Sequence, residues 1–311
     1  MLSYWLPAPL IGVLTVSVMF VALIFWFCVM LPGVLLRLLP WAPLRSLAGR
    51  YCVAVARRWV GTNQLIFRAL HPMDWEIEFN GSPDPRRSYL LIGNHQSWAD
   101  ILILFDVFHG RVPFLRFFLK YELLYVPIIG LVCWAMDFPF MKRHTRETLA
   151  ANPQLRNEDL ETTRRTCEIY RTQPVTVVNF LEGTRFTEAK RQAKGSPFRH
   201  LLRPKSAGVA FTLEAMGEQF AGVLDVTLAY RPPRDKSLLW SWLCGEQDQV
   251  SLIVDLLPIP ADLLQGDYDG DPAYRARVQR WVNTIWERKD ERLKRLRDPQ
   301  RHPDAQAASP Y

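Results

Sequence analysis

His95 and Asp100 stand five positions apart in the run Asn94-His95-Gln96-Ser97-Trp98-Ala99-Asp100, directly after the apolar stretch Tyr89-Leu90-Leu91-Ile92-Gly93. Neutral imidazole is the side chain best suited to accept a proton near neutral pH. A carboxylate on its second ring nitrogen fixes the tautomer and stabilises the imidazolium that forms. Residues five apart on a regular helix point about 140° away from each other. The two side chains therefore meet only if His95 lies outside a helix, at the end of the Leu90–Gly93 strand, with Asp100 in the turn that follows.

Two further strips carry chemistry suited to phosphate. Val175-Thr176-Val177-Val178-Asn179-Phe180 reads as a buried strand of β-branched residues, and Leu181-Glu182-Gly183-Thr184-Arg185-Phe186-Thr187 follows at its end. Gly183 permits close backbone approach, Thr184 offers a hydroxyl, and Arg185 supplies a forked cation matched to phosphate. Lys120 opens the block that runs through Glu122 and Pro127 to Gly130, and Lys142 and Arg143 follow Phe138-Pro139-Phe140. A base flanked by two phosphate-competent strips fits deprotonation of a hydroxyl on a phosphate-bearing substrate.

In this order and spacing, the His95–Asp100 run, the Lys120–Gly130 block and Glu182-Gly183-Thr184-Arg185 resemble the 1-acylglycerol-3-phosphate (lysophosphatidic acid) acyltransferases. The wording from Phe180 to Glu188 is most similar to the branch with lysocardiolipin acyltransferases and bacterial inner-membrane relatives. The resemblance runs from about residue 75 to about residue 230. Leu181 replaces the Pro that usually precedes the Glu of the third motif. Val223 to Tyr230 stands where the wider family has a Val-Pro-rich fourth motif. The resemblance implies an α/β fold, a mixed sheet flanked by helices, with an N-terminal membrane helix or hairpin. It implies acyl transfer from acyl-CoA or acyl carrier protein to a lysophospholipid hydroxyl, most simply 1-acyl-sn-glycerol 3-phosphate, giving phosphatidic acid. No cofactor and no metal are expected beyond that co-substrate.

The roles implied are a general base at His95 oriented by Asp100, with Arg185 and Lys120 on the acceptor phosphate. Glu182 orients Arg185 or the loop backbone, Gly183 and Thr184 line the acceptor site, and Arg143 contacts phosphate or the donor. Ser97 is the nearest nucleophile for a covalent route, but it lacks a nucleophile-elbow glycine pattern and reads as a turn or N-cap residue. A structural ion pair at Arg185 and a solvated Lys120 are the plain alternatives. At the level of function, the alternatives are another lysophospholipid acceptor, lysocardiolipin-like, or a non-catalytic membrane scaffold.

The chain of 311 residues carries a net charge of +7, which suits nucleic acid, anionic lipid or phosphorylated small molecules. Zinc-finger spacing, aromatic-basic motifs and basic helix-turn-helix patterns are missing from the sequence, which argues against nucleic acid. The cysteines at 28, 52, 133, 167 and 244 are odd in number and unpaired in spacing, as in a reducing compartment. The five remaining histidines have no carboxylate or Cys at ligand spacing and read as core or solvated.

The lipid reading gains from residues Leu10 to Leu31, which contain no charge. At about 1.5 Å per residue this run makes a helix of about 33 Å, enough for a hydrocarbon core of about 30 Å. A signal peptide would need a basic start and a shorter apolar core, so a retained anchor is expected. Arg37, Arg45, Arg50, Arg57 and Arg58 all follow the run, which places the C-terminal body on the cytoplasmic side; the resemblance implies that the membrane is the inner one. Tyr51 to Leu70, apolar but interrupted by Arg57, Arg58 and Gln64, reads as an interfacial helix. Leu123 to Met136 is either core or a membrane-facing acyl groove.

Four segments are expected: a membrane anchor and interfacial helix over 1–70, a catalytic domain over 71–260, a C-terminal amphipathic helix over 261–297 and a disordered tail over 298–311. Within the catalytic domain, strands are expected at Trp75–Phe79, Val223–Tyr230 and Val250–Leu257, and helices at Ala99–Phe108, Asn157–Arg171 and Ser206–Met216. A basic loop runs from Lys190 to Lys205. Pro272–Leu296 repeats Val278, Val282, Ile285, Trp286 and Leu293 at helical spacing, its charged face expected in solvent.

Overall fold

The computed structural model describes residues 5–72, 74–141, 170, 173–230, 237–246 and 249–297. A six-stranded mixed sheet forms the centre, in the order β1-β8-β7-β2-β6-β3. Its strands are β1 (Asp74–Asn80), β2 (Ser88–Gly93), β3 (Leu115–Phe117), β6 (Thr176–Phe180), β7 (Phe220–Tyr230) and β8 (Gln249–Leu257). Two short strands, β4 (Leu119–Lys120) and β5 (Phe140–Met141), pair separately. β7 runs antiparallel to β8, while β2 is parallel to both β6 and β7.

β2 is buried along its whole length, with Leu90, Leu91 and Ile92 wholly inaccessible. A strand covered on both faces carries a continuous apolar run instead of an alternation, as its sequence does. Leu91 packs toward α1 (Ala8–Leu36), α2 (Ala42–Leu70) and α3 (Ala99–Phe108). Leu90 and Ile92 pack on the other face, toward α6 (Ala207–Met216) and α8 (Pro272–Leu296). Between them in sequence come three short helices, α4 (Ile129–Ala135), α5 (Glu188–Ala193) and α7 (Leu238–Leu243).

α1 is the one helix among the described residues that is long and apolar enough to cross a membrane. It packs along α2. At Gly33 a Cβ would stand 2.5 Å from the Tyr51 ring and 2.9 Å from Cys52 Sγ, so glycine is what admits this contact. Trp26 Nε1 donates to Thr62 Oγ1 at 3.0 Å, and Tyr51 donates its hydroxyl to the Val29 carbonyl at 2.6 Å. Just past the end of α1, Arg37 pairs with Asp137, tying the helix pair to the segment after α4.

α2 is longer than the expected Tyr51–Leu70 stretch. Pro43 sits in its first turn, where a missing N–H costs nothing, and the arginines within it do not break the helix. Its buried face (Cys52, Val55, Val60, Phe67) packs into the core beside the sheet, so the helix is sandwiched rather than laid on a surface alone. The Leu123–Met136 run divides likewise: Ala135 is fully buried, while Tyr125 and Ile129 are 72% and 47% exposed. The expected Asn157–Arg171 helix, save Tyr170, and the 298–311 tail lie outside the described residues.

The charged face of α8 is a correction to the expectation of solvent. Lys289 is wholly buried, its ammonium donating to Asp225 Oδ1 at 2.5 Å and to the Val226 carbonyl at 2.6 Å. Burial pushes the ammonium's pKa down, and Asp225 opposes the shift. The cause lies in the sheet: Asp225 and Asp255 are direct partners across the β7–β8 ladder, where like charges repel. Lys289 takes the first carboxylate and Arg292, one helical turn later, takes the second. Breaking a buried pair by removing one partner typically costs about 3–5 kcal/mol. Lys289→Ala is expected to lose that much in equilibrium unfolding in detergent, and Lys289→Met combined with Asp225→Leu markedly less.

Candidate active site

The parallel strands β2 and β6 end side by side, and the residues singled out by spacing lie in the loops just past those ends, where open α/β sheets place their ligands. The β2–β7 ladder stops at Gly93. There the Asn94 amide takes over the role of the ladder, donating to the Leu228 carbonyl at 2.8 Å and accepting from the Leu228 N–H at 2.9 Å. His95 follows, outside any helix.

Asp100 is the second residue of α3, one step further into the helix than the expected turn, yet the pair meets because the intervening loop folds back over it. His95 Nδ1 lies 2.7 Å from Asp100 Oδ2, and the same oxygen accepts the Gln96 N–H at 2.6 Å and the Ser97 N–H at 3.0 Å. Asp100 is fully buried, while the His95 side chain keeps 15% of its surface open. An ionised carboxylate only accepts, so Nδ1 carries the proton and Nε2 presents a lone pair. The Phe180 ring stacks on the imidazole, centroids 4.2 Å apart, and Phe117 lies against Phe180 at 5.9 Å.

The second motif grips the His95 backbone from both sides. Glu182 Oε1 accepts the His95 N–H at 3.0 Å, and the Phe186 N–H donates to the His95 carbonyl at 2.7 Å. Glu182 Oε2 accepts from the Leu202 N–H at 3.0 Å. Glu182, expected to orient Arg185 or the loop backbone, bonds these backbone N–H groups and, 1% exposed, stands behind the surface rather than lining it. Burial raises its pKa to about 7, against the pull of the two N–H donors.

Gly183 has φ +65°, a left-handed conformation suited to glycine. Thr184 Oγ1 accepts from Lys190 at 2.9 Å, and the same ammonium bonds the Arg185 carbonyl at 3.0 Å, so part of the basic loop braces this motif. Arg185 is exposed, its guanidinium 5.4 Å from the Trp98 ring centre. Trp98 belongs to the His95–Asp100 loop, so this contact ties Arg185 to the loop that carries His95. Ser97 is a turn residue whose hydroxyl accepts the Ala99 N–H at 3.2 Å. Lys120 is exposed at the end of β4, three residues beyond Phe117, and is not bonded to the site among the described residues. Arg143 lies outside the described residues.

Sequence reasoning passed over Trp98, Phe180, Gln96 and Tyr230. The first three sit inside the motifs already noted, so proximity was the available signal. Tyr230, which bonds Asp100 from 130 positions away, had none.

The family model described as Acyltransferase matches residues 76–231, half of the chain. The chain belongs to the acyltransferase family. It is 28% identical over 179 residues to the human 1-acyl-sn-glycerol-3-phosphate acyltransferase gamma, covering 55% of this chain and 43% of that protein. To the delta form of Rattus norvegicus it is 24% identical over 266 residues, covering 79% and 62%. The chain thus spans less than two thirds of the length of those relatives. The crystal structure of the 1-acyl-sn-glycerophosphate (LPA) acyltransferase PlsC from Thermotoga maritima shares the fold, with a TM-score of 0.53 at 18% identity over 92% of this chain and 95% of that one.

Glu182 generates a pH signature. Its folded pKa of about 7 lies above the ordinary 4.5, so the native state holds the extra proton between those values. Its contribution to stability is therefore full below about pH 4.5 and declines as pH rises toward 7. The thermal-stability advantage of the parent over Glu182→Gln is expected to shrink across that interval; an advantage that grows with pH would contradict the assignment.

Proposed function

We propose that this protein is a membrane-bound O-acyltransferase that moves an acyl chain from acyl-CoA or acyl carrier protein to the free hydroxyl of 1-acyl-sn-glycerol 3-phosphate, giving phosphatidic acid. The observation that carries the reading is the His95–Asp100 hydrogen bond of 2.7 Å, with the Arg185 loop bonded to the His95 carbonyl through Phe186. The names of the gamma and delta relatives support the choice of acceptor.

In the proposed step, His95 Nε2 removes the proton of the acceptor hydroxyl as its oxygen attacks the thioester carbonyl carbon. Asp100 stabilises the imidazolium that forms. The tetrahedral intermediate collapses with cleavage of the carbon–sulfur bond, and the departing thiolate takes the proton back from His95. Arg185 holds the acceptor phosphate and thereby positions the hydroxyl, with Lys120 and Arg143 as further cations for acceptor or donor. Glu182, Gly183 and Thr184 shape the loop that presents Arg185. α1 anchors the enzyme in the inner membrane, and the arginines that follow it keep the catalytic body on the cytoplasmic side.

Purified protein with acyl-CoA and 1-acyl-sn-glycerol 3-phosphate is expected to form phosphatidic acid, and His95→Ala to lower the rate by roughly 10²–10⁴-fold. Product from the parent with an undiminished rate in His95→Ala would sink the base assignment. Arg185→Ala is expected to lower kcat/KM for the acceptor by about ten- to a hundredfold, mainly through KM, as for a lost hydrogen bond to a charged group. An unchanged acceptor dependence would remove Arg185 from the phosphate.

A further inference from the structure

We propose that Tyr230 is a positioning residue for the His95–Asp100 pair, holding the outer carboxylate oxygen so that the inner one stays on the imidazole; this rests on the acyl-transfer reading above. Tyr230 ends β7 on the face that packs toward α2 and α3. It is 4% exposed, and its hydroxyl donates to Asp100 Oδ1 at 2.5 Å.

The lone pairs of Asp100 explain why the contact matters. Oδ2 already receives His95 Nδ1–H and the N–H groups of Gln96 and Ser97. Oδ1 receives Tyr230, and the carboxylate is wholly closed to solvent. Without the hydroxyl, Oδ1 faces a dry interior with no donor from the described residues, a costly state for an anion. Held at both oxygens, the carboxylate cannot turn its Oδ2 away from the ring. The phenol keeps its proton, since burial and the adjacent carboxylate push its pKa well above the ordinary range.

The phenol also donates into the carboxylate charge that faces the imidazole. Among the described residues, the other charged groups around the pair are Glu182, behind the His95 amide, Arg185, over Trp98, and Arg297, on the Gln96 side chain. None of them bonds Oδ1, so loss of the Tyr230 hydroxyl alone is expected to move the acid limb of the pH–rate profile to higher pH. A residue that merely filled space would not move it.

The test compares parent, Tyr230→Phe, Asp100→Asn and the double variant, purified in detergent, with acyl-CoA and 1-acyl-sn-glycerol 3-phosphate. Tyr230→Phe is expected to lower kcat roughly tenfold or more, leave both KM values nearly unchanged and shift the acid limb upward. In the Asp100→Asn background it is expected to add no further loss. A parental kcat and pH profile in Tyr230→Phe, or losses that multiply in the double variant, would overturn the proposal. Tyr230→4-aminophenylalanine keeps a donor at the ring's end and is expected to recover most of kcat; a folded variant without recovery counts equally against it. An inactive parent would instead defeat the acyl-transfer reading, so the two failures are distinguishable.

Discussion

A carboxylate cut off from water has to find its hydrogen bonds within the protein, and Asp100 is such a group. Four donors converge on it, from His95, Gln96, Ser97 and Tyr230. They come from a loop after β2 and from the end of β7, so satisfying one anion fixes the loop path and the relation of two strand ends together. Losing a donor from a buried charge costs more than the net value of an ordinary hydrogen bond. The ring of His95 is thus oriented as a by-product of a requirement for stability, with its second nitrogen left out of the Asp100 contact.

Around this anion the structure braces backbone more than side chains. Asn94 replaces a rung of the β2–β7 ladder, Glu182 takes the His95 N–H, and Phe186 takes the His95 carbonyl. Backbone bonding of this kind leaves the reactive side chain free while removing the freedom of the loop that carries it. Arg185 is treated differently: it is exposed and rests over the Trp98 ring. Rigid base and accessible cation are what a site needs if one group does chemistry and the other captures a charged substrate.

Local periodicity made much of the fold legible. Ala99–Phe108 and Pro272–Leu296 begin and end where their apolar spacing places them, and the continuous apolar runs of β2 and the first part of β6 are buried, as strands covered on both faces should be. His95, Asp100 and Arg185 were legible because each motif is a contiguous word. What stayed hidden depends on partners far off in the chain. Lys289 looks like any basic residue on a helix rich in charges until β7 and β8 set Asp225 opposite Asp255. Tyr230 closes an apolar strand, and only the β2–β7 pairing brings it over α3. The extent of α2 was obscured for another reason: arginines within an apolar helix look like an interruption, although long side chains place their charge in water while their stems pack.

The C-terminal helix lies beyond residue 231, where the family match ends, yet it is joined to the site by covalent and hydrogen-bonded continuity. Trp286 Nε1 donates to the Leu202 carbonyl, and the Leu202 N–H donates to Glu182, which holds the His95 N–H. A few turns on, Arg297 donates to the Gln96 side chain, whose amide nitrogen bonds the Leu228 carbonyl. Two routes therefore run from α8 into the loop that carries the base, while Lys289 neutralises the sheet beneath it. A helix removed from this face would leave Asp225 unpaired, Leu202 without its donor and Glu182 less fixed. The physical unit that orients His95 thus extends through residue 297, and the limits of a shared sequence pattern mark only the part of it that speaks through contiguous motifs.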